Sequence, residues 1–214
     1  MGLVYSPNLT QGKGSAANDY SAEDWDRAIR HGLKKDKTRA VIMPSNDYVG
    51  FPDEDIASVV AYIQSLPDVD REGKETTFGP ITRMLFTFGE MKFAYDRIDH
   101  DAKPMDIEPD NTKEYGALLA TTCTSCHGED LTGGKIPGGD PKWPAAANLT
   151  QHKSDGLGKW SEDDFNKAMR EGKLPDGGEV QAPMPWKMYE GMSEDDMKAL
   201  WLYLKTLKAK ESSE

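Results

Sequence analysis

The chain has 214 residues, a net charge of −11 and two cysteines. It is long enough for one large or two small domains, and its acidic surplus excludes nucleic acid, because phosphate binding needs clustered lysine and arginine. Two cysteines exclude a multi-disulfide scaffold, and no apolar run of about 18 to 20 residues predicts a transmembrane segment. The first residues also lack the basic and apolar regions of an export signal.

An internal repeat organises the chain. The letters NLTQ occur at residues 8–11 and again at 148–151, and the match continues at a shift of 140 positions into SAEDWDRAIRHG and SEDDFNKAMREG. Further along, the shift becomes 141, and Met43-Pro44 then aligns with Met184-Pro185. Self-similarity of this length predicts two copies of one structural unit.

Helix signals recur in both copies. SAEDWDRAIRHG and SEDDFNKAMREG each begin with a capping serine and end in glycine, which predicts a short helix. Each copy then ends in a helix with apolar residues every three or four positions: Ile56, Val59, Val60 and Ile63 in the first, and Met197, Leu200, Trp201 and Leu204 in the second. Strand alternation is nowhere sustained, so we expect a mainly helical protein.

A polar, proline-rich stretch at residues 68–112 separates the copies and contains one helical piece that opens at Pro80. We interpret it as a connector between a first domain at residues 1–67 and a second at 113–214. Within the second domain, the closing helix is expected to pack on a helix that carries Gly116, because glycine permits close approach.

The letters CTSCH place two thiols close together with an imidazole beside them, as Cys123, Cys126 and His127. Thiols at this spacing can add to the two vinyl groups of haem while the imidazole ligates the iron. A zinc site would need a further ligand, a thioredoxin-like pair would need a βαβ setting, and a disulfide across so short a loop would stabilise little. The pattern favours covalent haem, with zinc and redox chemistry as alternatives.

A second iron ligand is expected downstream, and Met184 in APMPW is the candidate. Pro185 removes a backbone donor and fixes an extended turn that can hold a thioether. The same pair recurs in the first copy, where Met43 is the matching candidate. The remaining histidines are expected to be surface or hydrogen-bonding residues: His31, His100 and His152.

From about residue 113 to 209 the sequence resembles the class I type c cytochromes, through CTSCHGEDLTGG, AAANLT, GKWSEDDFNKAMREG, PMPW and SEDDMKALWLYLKTL. The doubled layout, with GPITRMLFTFGEMKFAYDRIDH between the copies, resembles the di-haem c-type cytochromes of bacterial respiratory and dehydrogenase complexes. The resemblance implies a mainly α fold of two tandem class I cytochrome c-like domains joined by a partly helical connector. It also implies one covalent haem c per domain, with His127 and Met184 on the iron in the second.

The resemblance implies an exported, periplasmic carrier of single electrons in a respiratory chain rather than an enzyme. Its redox partners would be a membrane-bound oxidoreductase or a terminal oxidase. One alternative is a gas-binding or sensory haem protein, or a haem enzyme, in which Met184 is not on the iron. Another is a zinc-stabilised interaction module.

The first copy departs from the family pattern. Cys123 precedes Asn148 by 25 residues, whereas only seven residues precede Asn8. The first domain therefore lacks a Cys-x-x-Cys-His in this chain, and we expect that segment and an export signal to lie upstream of Met1 in the native product. Met43 would then be the distal ligand of a second haem. The alternative is a first domain that has lost its haem.

Overall fold

The structure, a computed structural model, describes residues 2–213. It divides the chain into two compact units, Met1–Asp106 and Ile107–Glu214, with the boundary inside the predicted connector. Between residues 2 and 213 the regular structure is helical, and β-structure is limited to isolated bridges. The prediction of a mainly α protein is confirmed. None of the helices in this part of the chain has the length and apolar character to cross a membrane.

In the described part of the first unit the α-helices are α1 (Ala22–His31), α2 (Asp53–Ser65) and α3 (Pro80–Thr87). Short 3-10 turns lie at Ser45–Asp47 and Ala94–Arg97. The core forms where α1 and α2 meet, and its buried side chains are Ala17, Trp25, Ile29 and Ile56.

In the described part of the second unit the α-helices are α4 (Lys113–Ala120), α5 (Thr124–His127), α6 (Glu162–Glu171), α7 (Trp186–Tyr189) and α8 (Glu194–Leu204). The predicted apolar face of α8 is buried, and Trp201 stacks on Phe165 of α6 with ring centroids 5.4 Å apart. The predicted contact with α4 is also confirmed, because a Cβ added at Gly116 would lie only 1.9 Å from the carbonyl oxygen of Ala199.

The two short repeat helices have the same ends. Ser21 and Ser161 begin α1 and α6 with a capping box, in which the serine side chain accepts from a backbone N–H three residues on and the aspartate there accepts from the serine N–H. Gly32 and Gly172 end them with φ of 65° and 67°, a left-handed conformation that glycine adopts without strain. The predicted caps are confirmed at both ends.

An arginine near the end of each short helix holds the start of the closing helix. Arg30 of α1 donates to the carbonyl oxygen of Phe51 at 2.6 Å and pairs with Asp53 at 2.8 Å. In the second unit Arg170 makes the matching contacts with Met192 and Glu194, each at 2.9 Å. Arginines at equivalent positions therefore link α1 to α2 in the first unit and α6 to α8 in the second.

The repeated NLTQ loop also has the same role in both units. In the second unit Asn148 donates to the carbonyl oxygen of Lys210 at 2.9 Å and accepts from the N–H of Thr150 at 2.8 Å. The Thr150 hydroxyl in turn accepts from the N–H of Lys210 at 3.2 Å. The same three bonds occur in the first unit between Asn8, Thr10 and Val69. The loop therefore fastens the segment that follows each closing helix.

The closing helices differ in how much of their apolar face is covered. Leu200 of α8 is 3% exposed, whereas its counterpart Val59 of α2 is 44% exposed. In the second unit α4 packs on α8 at Ala199 and Tyr203, whereas residues 2–21 of the first unit contain no helix. The expected apolar stripe of α2 is therefore buried at Ile56 and only partly covered elsewhere.

Candidate functional site

The Cys-x-x-Cys-His sequence lies at the end of a continuous helical segment. A 3-10 turn, Thr121–Cys123, joins α4 to α5, and His127 is the last residue of α5. Cys123 is half-buried and packs against the core of the second unit, while Cys126 is exposed. His127 is 7% exposed. One helical turn therefore carries the two thiols and the imidazole, with one thiol at the edge of the core and one at the surface.

A backbone carbonyl fixes the orientation of the buried imidazole. The Nδ1 of His127 donates to the carbonyl oxygen of Ala147 at 2.7 Å, and because a carbonyl can only accept, the proton lies on Nδ1. Burial lowers the pKa of His127, against the opposing effect of this hydrogen bond. At neutral pH the imidazole is therefore uncharged and carries a lone pair on Nε2, which is the form that ligates a metal.

A glycine places the Ala147 carbonyl beside the imidazole. Gly133 donates its N–H to the carbonyl oxygen of His127 at 2.8 Å, and its φ of 74° is left-handed. A Cβ at this position would lie 2.3 Å from the carbonyl oxygen of Ala146. Only glycine lets the loop pass this close to the segment that carries Ala147. Sequence reasoning missed Ala147 because its contribution is a backbone atom; the glycine pair in LTGG was the available signal.

The thioether of Met184 packs against the same core cluster as Cys123. Met184 is half-buried and lies just before α7, which packs on α6. The ring of Trp186 covers Gly172, and Arg170 donates to the carbonyl oxygen of Glu190 at 2.7 Å. Both contacts hold the methionine loop against the end of α6.

Met43 has a matching position in the first unit. It is half-buried and packs against the cluster formed by α1 and α2. Pro44 follows it and leads into the 3-10 turn Ser45–Asp47, as Pro185 leads into α7. The methionine loops of the two units are thus built alike.

The other histidines are hydrogen-bonding residues, as predicted. His152 pairs with Asp155 in the second unit. His31 and His100, which lie far apart in sequence, meet in the first unit. In the described part of the chain no three His, Cys, Asp or Glu side chains converge on a point where they could hold a metal ion.

The donor set at residues 123–127 fits covalent haem. It offers two thiols at the spacing of the two vinyl groups and an imidazole whose Nε2 lone pair is available for iron. Cys123, Cys126 and His127 could therefore hold the group on one side, and Met184 could supply a thioether from the cluster that Cys123 contacts. Such an arrangement can cycle iron between its ferrous and ferric states.

Residues 114–208, which include the Cys-x-x-Cys-His sequence, match the family model of cytochrome c. The whole chain is 28% identical to the gluconate 2-dehydrogenase cytochrome c subunit of Pantoea cypripedii and spans 53% of that protein. All of it also aligns, at 26% identity, with 46% of the fructose dehydrogenase cytochrome subunit of Gluconobacter japonicus. An alignment with the cytochrome c subunit of alcohol dehydrogenase (quinone) from Gluconacetobacter polyoxogenes covers 97% of this chain and 48% of that protein, at 26% identity. The chain thus spans about half the length of these curated relatives.

Proposed function

We propose that the chain transfers single electrons through haem c as a cytochrome subunit of a membrane-associated dehydrogenase complex. The observation that carries this proposal is the buried His127, oriented by Ala147, beside two cysteines in the segment that matches the cytochrome c family model. When bound, the haem accepts and donates single electrons. The chain is an electron-transfer protein, and substrate oxidation belongs to another subunit.

Each site residue has a role that follows from its position. Cys123 and Cys126 attach the haem through thioether bonds, one at the edge of the core and one at the surface. His127 binds iron through Nε2, because Nδ1 is engaged by Ala147. Met184 would supply a second protein ligand to the iron, and its soft thioether would favour the ferrous state. If His127 and Met184 both held the iron, these side chains would leave no coordination position for a substrate.

The relatives indicate the class of redox partner. Their names assign them to gluconate 2-dehydrogenase, fructose dehydrogenase and alcohol dehydrogenase (quinone). We infer that a dehydrogenase subunit donates electrons to this chain and that a membrane-bound oxidoreductase or terminal oxidase accepts them. A net charge of −11 favours a neutral or basic docking surface on the partner. Because haem c is attached outside the cytoplasm, the protein acts in the periplasm.

We further propose that the two units are tandem cytochrome c-like domains and that Met43 ligates a second haem. Support comes from the shared design: both units have the same capped helix, the same arginine contacts and the same NLTQ bonds. Met43 also packs on the core of its unit as Met184 does. This second haem needs a Cys-x-x-Cys-His from outside residues 1–214, which contain only one.

A reduced-minus-oxidised absorption spectrum of the purified protein, followed by carbon monoxide added to the reduced form, tests the electron-transfer proposal. We expect haem c bands, a methionine-to-iron charge-transfer band in the oxidised form, and no spectral change with carbon monoxide. Rapid carbon monoxide binding would instead indicate an open iron position, as in a gas-binding protein or haem enzyme. A spectrum without haem bands would indicate the zinc module.

Haem quantified per polypeptide tests the second site separately. Protein isolated from the native organism is expected to contain two haems per chain. One haem per chain, in a protein whose spectrum otherwise meets the expectation above, would contradict the role of Met43 and leave the electron-transfer role of the second unit intact.

A further inference from the structure

Two histidines that are 69 residues apart in sequence meet in the first unit. The Nδ1 atoms of His31, the last residue of α1, and His100 are 3.0 Å apart, and their ring centroids are 5.1 Å apart. The sequence predicted surface or hydrogen-bonding histidines at these positions but not that the two would contact each other. Neither residue belongs to the candidate haem site, so the pair needs its own explanation.

The hydrogen bond on the far side of His100 determines its tautomer. Its Nε2 lies 2.9 Å from the carbonyl oxygen of Tyr95, which can only accept, so Nε2 carries the proton. With the proton on Nε2, the Nδ1 atom of His100 carries a lone pair and lies 3.0 Å from the Nδ1 atom of His31. A ring N–H donated to a backbone carbonyl is also the arrangement that orients histidine ligands in metal sites.

Charged side chains of α1 lie near His31: Asp26, Arg27 and Arg30. Partial burial lowers the pKa of His31, opposed by the Asp26 carboxylate and assisted by His100 and the nearby arginines. Those arginines are themselves ion-paired, Arg30 with Asp26 and Arg27 with Glu23. Their repulsion toward a bound cation is thereby reduced, and Asp26 adds an attractive charge.

We propose that His31 and His100 bind a divalent transition-metal ion such as Zn²⁺ through their two Nδ1 atoms. Adjacent imidazole nitrogens at about 2.0–2.1 Å from Zn²⁺ are about 2.9–3.4 Å apart for ligand angles between square and tetrahedral. The observed 3.0 Å lies within this range. Imidazole suits Zn²⁺, Cu²⁺ and Ni²⁺ and is a poor ligand for Mg²⁺ and Ca²⁺.

The remaining coordination positions belong to water. No third His, Cys, Asp or Glu joins the pair within the described residues, so the site is a two-ligand chelate on the surface rather than a closed structural centre. Its binding is reversible and depends on the concentration of the metal. Bound metal ties the end of α1 to the 3-10 turn Ala94–Arg97 through Tyr95 and His100, and so links distant parts of the first unit.

The second unit does not share this site. His31 aligns with Glu171, so the chelate is an addition to the repeat and no part of the haem-binding design. The neighbouring turn is already positioned without metal: Arg39 pairs with Asp96 at 2.8 Å and lies over the ring of Tyr95. Preformed ligands lose little freedom when the metal binds, which favours affinity.

Calorimetric titration of the haem-loaded protein with Zn²⁺ tests the proposal, because thioether-bound cysteines no longer compete for the metal. The wild type is expected to bind one Zn²⁺ per chain, and more tightly than the variants that lack His31 or His100. Loss of a second-shell partner alone weakens metal binding by about 10- to 100-fold, so His31→Gln and His100→Gln should each reduce the affinity at least that much. His152→Gln is the matched control and should bind like the wild type.

Thermal unfolding gives an independent readout that does not require equal stability of the variants. Zn²⁺ should raise the Tm of the wild type and of His152→Gln, because a ligand that binds only the folded state stabilises it. It should leave the Tm of His31→Gln and His100→Gln unchanged. Binding of equal strength in all four proteins, or no binding to the wild type, would overturn the proposal.

Discussion

The side-chain amide of Asn148 donates a hydrogen bond to the carbonyl oxygen of Lys210, 2.9 Å away, and joins the loop that follows Ala147 to the chain that follows α8. Asn148 and Thr150 are both buried, and the N–H of Thr150 donates to the side-chain oxygen of Asn148. The first unit contains the equivalent bond between Asn8 and Val69. The repeated NLTQ letters thus preserve a hydrogen-bonding function.

Replacing Asn148 with alanine should therefore destabilise the second unit. The buried N–H of Thr150 would lose its acceptor, and an unsatisfied buried group costs about 1 to 3 kcal/mol. Urea unfolding of the haem-loaded protein measures this loss. Asn111→Ala is the control, since that side chain makes a single long bond to exposed Asp195, and it should change stability by less than about 0.5 kcal/mol. Equal effects of the two substitutions would contradict the role given to Asn148.

Met184→Ala should abolish the methionine-to-iron charge-transfer band and lower the reduction potential, because a thioether favours ferrous iron more than water does. Met188 provides the control, since it lies four residues on and is 82% exposed. Met188→Ala should leave the band and the potential unchanged. Absorption spectroscopy measures the charge-transfer band of both variants, and redox titration measures their reduction potentials. A band that survives in Met184→Ala would assign the ligand to another residue.

Gly116→Ala should disrupt the packing of α4 on α8. The added methyl group would meet the carbonyl oxygen of Ala199 at 1.9 Å, so the helices must separate, and overpacking of this kind costs about 1 to 3 kcal/mol or more. Gly191→Ala in the same unit meets no atom within 4 Å and should be neutral. Chemical denaturation measures the free energy of unfolding of both variants. An unchanged value for Gly116→Ala would show that α4 and α8 pack less closely than the 1.9 Å approach indicates.

Local sequence patterns predicted the helices and their caps, because Ser21, Ser161 and the glycines at the helix ends act within one turn of chain. They also predicted the contact at Gly116. They did not predict that Ala147 orients His127, since a backbone carbonyl has no signature in the side-chain sequence. Nor could periodicity show that Val59 is exposed while Leu200 is buried, because an apolar stripe does not specify what covers it. The meeting of His31 and His100 depends on tertiary structure, and the repeat offered no counterpart.

A carboxylate beside the chain terminus should titrate at unusually low pH. Hydrogen bonds from Ser212 and Ser154, with a contribution from His152, lower the pKa of Asp155 to about 2. The pKa of Asp155 is lower in the folded protein than in the unfolded chain, so its ionised carboxylate stabilises the folded state. This stabilisation is fully present above about pH 4 and is lost as the pH falls toward 2. The Ser212 amide resonance of the reduced protein should report a midpoint near 2, and Asp155→Asn should remove that titration. A midpoint near 4 would contradict the contact.

Acid extraction tests the central claim of covalent haem at Cys123 and Cys126 most directly. Thioether bonds survive acidified acetone, whereas haem held only by His127 and Met184 does not. The account predicts that the colour remains with the precipitated polypeptide and that mass spectrometry finds haem on the peptide containing both cysteines. A colourless polypeptide, with all haem in the acetone phase, would contradict it.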